Sequence, residues 1–222
     1  MTQLAGAERT ESDLAVTAPA RGADQVARQR FDESIAATEA FFELEVDGIS
    51  AAALAMARRF KRGGRLLVFG EGADATDAQH VSVEFVHPVI VGKRALPAIA
   101  LTSDPLAPTR GGRAGGFASQ VDILGRPVDI ALGIGAAGSS AVGDALGVAA
   151  AKGMLTVSIE RAGNTETGTS EANHCFRVPC SDPLIAQEVG ETLYHVLWEL
   201  VHLFLEHGVG ETDDLRLRVT AT

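Results

Sequence analysis

The chain has 222 residues, 46% of them hydrophobic and 22% charged, with a formal net charge of −10. Such a length and balance suit one soluble globular domain plus a tail. The acidity disfavours nucleic acid as a partner, and disfavours phosphorylated ligands unless local groups overcome the field. The two cysteines, Cys175 and Cys180, give neither a zinc motif nor a disulfide framework and are expected as thiols in a reducing cytoplasm.

Residues 1–24 mix acidic and small side chains without periodicity, and are expected as a mobile arm. They contain no signal-peptide core, and no apolar run in the chain is long enough to span a membrane. Phe31, Ile35, Thr38, Phe42 and Val46 recur at spacings of three and four and predict one face of a helix. Ile49, Leu54, Met56 and Phe60 predict a second helix, closed by the basic turn Lys61-Arg62 and the glycines Gly63 and Gly64.

Residues 65–70 form a short apolar run ended by glycine, the pattern of a buried strand. A glycine-bearing loop then feeds a helix that runs to Val86. Residues 96–101 predict the next strand, and the glycine-rich stretch 110–116 a flexible loop. A short helix over 117–124 follows, then a strand over 128–134, an alanine-rich helix over 141–153 and a strand over 154–159. Residues 174–179 predict the last strand and 184–207 a strongly apolar helix, with a mobile tail over 208–222.

Strands that alternate with helices pair in parallel, because the helices supply the crossovers. The expectation is a three-layer α-β-α sandwich with a five-stranded parallel sheet over residues 25–207, preceded by two helices. Ligands of such sheets gather at the carboxyl ends of the strands. The loops after Phe69, Leu101 and Ile134 carry candidate ligand-binding residues: Glu71 and Asp74, Ser103 and Asp104, Ser139 and Ser140.

Two constellations carry chemistry. His80 and Glu84 are four apart, so a helix puts them on one face, where they can share a proton or a divalent ion. Such a pair is also common on solvated helix surfaces. Gln187 and His195 are eight apart on the last helix, again roughly one face, where the histidine can equally be a hydrogen-bonded core residue. The remaining histidines, His87, His174, His202 and His207, read as surface or packing residues.

These residues sit in recognisable strings. Gly70-x-Gly72, Asp77-Ala78-Gln79-His80-x-x-x-Glu84, the run from Leu96 to Asp104, Gln120-Val121-x-x-Leu124-Gly125-Arg126-Pro127-x-Asp129 and Gln187-Glu188-Val189 resemble the phosphoheptose isomerases of the sugar-isomerase (SIS) fold, over roughly residues 30–207. The resemblance implies an aldose–ketose isomerisation of a sugar or sugar phosphate such as sedoheptulose 7-phosphate through an enediol. It implies Glu84 as the base and His195 as the partner acid/base. It further implies zinc held by His80, Glu84, Gln187 and His195, and a cytoplasmic homotetramer.

Two loops depart from that family. Its first loop usually runs glycine, asparagine, glycine, glycine, serine; here Glu71 replaces the asparagine and Asp74 the phosphate-binding serine. The third loop keeps only Ser140 of a hydroxyl-rich run, with Ala136 and Ala137 among the replacements. Asp74 is placed as a helix N-cap, where its carboxylate takes backbone N–H groups that would otherwise bind phosphate. Arg110 and Arg113 are basic residues able to fold over that loop. The alternative to an enzyme is a non-catalytic SIS module that binds a carbohydrate derivative or a protein. A further alternative keeps the metal site and takes an unphosphorylated or cationic ligand.

Overall fold

The structure is a computed structural model and describes residues 22–101, 116–161 and 172–208. Most of the expected arm, of the tail and of the glycine-rich stretch lie outside the described residues, as do Ser103, Asp104, Arg110 and Arg113; the first helix begins at Ala23, inside the expected arm.

The elements in chain order are α1 (Ala23–Lys61), β1 (Leu66–Gly70), α2 (Asp74–Val86), β2 (Ala98–Ala100), α3 (Gly116–Leu124), β3 (Ile130–Ala136), α4 (Ser140–Ala151), β4 (Leu155–Arg161), β5 (His174–Val178) and α5 (Pro183–His207). The strands form one five-stranded parallel sheet in the order β2-β1-β3-β4-β5. Alternate side chains serve the two faces. Leu66, Val68, Ile130, Leu132, Val157 and Ile159 join a core with α1, α2 and α5. Leu67, Phe69 and Ala131 join a separate core with α3 and α4. Helices therefore cover both faces, and for that reason β1 is apolar at every position.

The two helices expected before β1 are one continuous helix of 39 residues. The junction at Asp47-Gly48-Ile49 holds a glycine but no proline, and a lone helical glycine costs only about 1 kcal/mol. Burial of Phe41, Ile49, Ala52, Ala53, Met56 and Phe60 against the rest of the fold outweighs that. The expected apolar stripe meets this core only in part: Phe42 packs against it, whereas Phe31, Ile35 and Val46 are exposed. The edge strand β2 is shorter than expected, three residues, and begins after Pro97.

The chain leaves β1 toward β2 on one side, and β3 lies on the other. Strand order thus reverses between β1 and β3, and the carboxyl ends of these two strands are where sheets of this kind take ligands. Gly72 (φ 60°) and Gly138 (φ 81°) turn the two loops that follow them, both in the left-handed region that favours glycine.

Candidate functional site

Along α2, Asp74, Asp77, His80 and Glu84 follow at spacings of three, three and four, so they line one face. Across from them α5 presents Gln187, Glu191, Tyr194 and His195. The indole N–H of Trp198 donates to the Glu84 carbonyl at 3.0 Å and pins the two helices together.

Both sequence-predicted pairs meet here. Glu84 Oε1 lies 3.4 Å from His80 Nε2 and 3.2 Å from His195 Nε2. The two imidazole rings stand 5.3 Å apart at 72°. One donor atom from each of the three residues fits within a span of 4.8 Å. Glu84 is the most enclosed, at 14% side-chain exposure, against 40% and 41% for the histidines. The arrangement is a carboxylate at the floor of an opening lined by two imidazoles.

Gln187 is held differently. Its amide nitrogen donates to both carboxylate oxygens of Asp77, at 3.1 and 3.3 Å. Its amide oxygen remains the only atom it can offer as a ligand. Burial pushes the Asp77 carboxyl up, against the hydrogen bond from Gln187. Neither Asp77 nor Tyr194 was given a role by sequence. Asp77 had a usable signal, its place three residues before His80 and seven before Glu84. Tyr194 had none, since a tyrosine in an apolar helix reads as core.

The other end of the site differs from expectation. Asp74 does not cap α2. The cap position is Ala73, without a side-chain cap, and the helix starts through a tight turn. In that turn the amides of Asp74, Ala75 and Thr76 donate to the carbonyls of Glu71, Gly72 and Ala73 at 3.1, 3.2 and 3.0 Å. With those amides taken by backbone, the Asp74 side chain turns to Arg161, at the end of β4, and pairs with its guanidinium. Asp74 is 3% exposed. Burial pushes its carboxyl up, and Arg161 opposes the shift. Asp74 Oδ1 and Arg161 Nε are buried with no partner.

Arg161 went unnoticed in sequence, although the carboxyl end of a parallel strand is where ligand-facing residues collect. Glu71 is exposed and accepts from the Ser139 hydroxyl at 3.3 Å, which links the loops after β1 and β3. Ser139 also caps α4 by accepting from Val142 N, and Ser140 is the exposed first residue of that helix.

A strand reversal between β1 and β3, with an imidazole–carboxylate–imidazole cluster between two helices packed on that sheet, defines a sugar-isomerase type of domain. A family model described as SIS domain matches residues 30–160. The chain is 36% identical over 179 residues to the phosphoheptose isomerase of Thermodesulfovibrio yellowstonii, covering 78% of this chain and 89% of that one. It is 37% identical over 185 residues to the phosphoheptose isomerase of Solidesulfovibrio magneticus, covering 81% and 90%. The solved phosphoheptose isomerases of Neisseria gonorrhoeae and Francisella tularensis superpose with TM-scores of 0.69 and 0.70. Each is 27% identical, over 80% and 81% of this chain and 97% of the other. The chain belongs to the SIS-domain family and, within it, to the phosphoheptose isomerases.

Proposed function

We propose that the protein is an aldose–ketose isomerase acting on a sugar or sugar phosphate such as sedoheptulose 7-phosphate, with the reaction centred on Glu84. The observation that carries this is the single oxygen, Glu84 Oε1, within 3.4 Å of both imidazoles. In the ketose-to-aldose direction Glu84 takes the proton from C1 while His195 protonates the carbonyl oxygen on C2, which gives the enediol. The hydroxyl proton on O1 then passes to the now-neutral His195 as the C1 carbonyl forms, and Glu84 returns its proton to C2, which restores both residues. The carboxylate must stay close to the carbon acid and away from bulk water, and its enclosure between α2 and α5 supports that role.

Zinc fits the donor set. Two imidazole nitrogens and one carboxylate oxygen within 4.8 Å match the three-ligand open sites of catalytic zinc, and Gln187 has an amide oxygen to add. His80, Glu84, His195 and Gln187 would hold the ion, and it would supply Lewis-acid polarisation of the substrate carbonyl.

The same reading places the protein in the cytoplasm as a homotetramer. The exposed apolar side chains Phe31, Leu44 and Val46 on α1 support association. Among the described residues, no helix is long and apolar enough to cross a membrane.

The test is an isomerase assay on sedoheptulose and on sedoheptulose 7-phosphate, with and without zinc, beside Glu84→Gln. Turnover of either sugar that falls by about 10²- to 10⁴-fold in the variant is the expected result. Turnover indifferent to the substitution, or none by the wild type on either sugar, would sink the proposal.

A further inference from the structure

Asp74 and Arg161 close the end of the site that lies one helical turn and more from the catalytic cluster. We propose that this pair sets substrate specificity: it withholds Arg161 from anionic ligands, so that the site takes a sugar whose far end is a neutral hydroxyl rather than a phosphate. The sugar class rests on the isomerase reading above; the choice of end group rests on the following geometry.

A phosphate at a site of this kind is held by amide N–H groups at a helix start, by a cation or by hydroxyl donors. Among the described residues, three such groups are engaged internally, whereas the exposed Ser140 hydroxyl at the start of α4 is not. The first amides of α2 donate to Glu71, Gly72 and Ala73. The guanidinium of Arg161 is paired with Asp74. The hydroxyl of Ser139 donates to Glu71. An incoming phosphate, an acceptor only, would find these donors occupied, with the carboxylates of Glu71 and Asp74 beside them and that of Asp77 one turn further along α2. Like charges at such range repel, the more so where water is excluded.

A hydroxyl meets the same surroundings differently, because it both donates and accepts. The exposed Glu71 carboxylate can accept from it, a charge-assisted bond. The Asp74–Arg161 pair is made through one arm, Oδ2 to Nη2, and leaves an acceptor, Oδ1, and a donor, Nε, buried without partners. Burying polar atoms in this way is unfavourable unless something satisfies them. A small shift that admits a hydroxyl satisfies both kinds of atom; a phosphate can satisfy only the donor.

The experiment uses the full chain and ligands that cannot isomerise: the seven-carbon sugar alcohol of sedoheptulose and its terminal phosphate ester, titrated calorimetrically. The wild type is expected to bind the neutral alcohol at least as tightly as the ester. Asp74→Ser is expected to raise affinity for the ester by 10-fold or more, on the order of one removed unit charge in a dry site. Arg161→Met added to it should abolish the gain. Asp74→Asn keeps the shape and gives the same comparison should the serine variant fail to fold. Tighter binding of the ester by wild type, no gain in either Asp74 variant, or binding of neither ligand overturns the proposal. Because no turnover is involved, its failure is separate from failure of the isomerase assay.

Discussion

The phenol oxygen of Tyr194 lies 3.0 Å from Nδ1 of His80, on the side of the ring opposite Glu84. Tyr194 is 2% exposed, and burial, with the nearby carboxylates of Glu191, Asp77 and Glu84, pushes its hydroxyl up, so that it remains a neutral phenol. The contact fixes the His80 ring and keeps Nε2 toward Glu84. Outer partners of this kind commonly carry 10- to 100-fold in metal affinity. Tyr194→Phe is therefore expected to weaken zinc binding by about 10-fold while the circular dichroism spectrum is unchanged. Equal zinc affinity in variant and wild type would show that Tyr194 only fills space.

A second prediction concerns acid stability. Asp129, fully buried, accepts from Arg65 N and Nη2 and from Arg126 N, Nε and Nη2, at 2.8 to 3.1 Å. Burial pushes its carboxyl up, but the hydrogen bonds from Arg126 and Arg65 prevail and hold the pKa at about 2. An unfolded aspartate titrates near 3.9 (about the model-peptide value). The folded pKa is depressed, so the stabilisation is fully present above about pH 4 and is lost as pH falls toward 2. Asp129→Ala should destabilise at neutral pH, since it removes the acceptor of five hydrogen bonds that tie the start of β1 to the turn before β3. In urea titrations the gap between wild type and variant should narrow from pH 5 toward pH 2. A gap that does not change with pH would contradict the assignment.

The loop after β1 can be tested through Gly70. A Cβ there would lie 2.7 Å from the Asp74 carbonyl oxygen and 2.8 Å from the Ile134 carbonyl oxygen, both backbone atoms. Neither can yield without moving the α2 start or β3, the two sides of the site. Gly70→Ala is expected to destabilise by about 1–3 kcal/mol through overpacking and to disturb the Asp74–Arg161 pair with it. Thermal unfolding at the wild-type temperature would show that the loop has more room than this.

Much of this architecture was legible in the residue order because its signals are local. Apolar runs closed by glycine marked the strands, and apolar spacing marked α5. The spacings of His80 to Glu84 and Gln187 to His195 put each pair on its helix face, and the family strings brought the pairs together. What escaped depended on partners distant in sequence. Asp74 resembled a cap because the cap rule is local; its partner Arg161 is 87 residues away. The α1 stripe through Phe31 and Val46 has apolar periodicity, but periodicity does not say which surface will cover it. The stretches through Val46 and from Ile49 read as two helices because their apolar patterns differ, yet they are one helix, and burial of Phe41, Ile49 and Met56 outweighs the modest cost of Gly48.

The same distance argument gives a last prediction, at His202, which composition alone placed among surface or packing residues. It is 2% exposed, with Nδ1 at 2.9 Å from the Trp198 carbonyl and Nε2 at 3.0 Å from the Arg94 carbonyl. The first contact lies within α5; the second ties α5 to the segment between α2 and β2, where Lys93 also pairs with Glu206 at 2.8 Å. His202→Phe keeps the packing against Trp198, whose ring centroid is 4.3 Å away, but leaves the Arg94 carbonyl without its donor. The lost hydrogen bond costs about 0.5–1.5 kcal/mol, which for a chain of this size lowers the unfolding midpoint by about 2–4 °C per kcal/mol. His202→Gln retains an N–H donor and should recover part of the loss. If the glutamine variant is no more stable than the phenylalanine one, ring shape rather than hydrogen bonding holds this segment to α5.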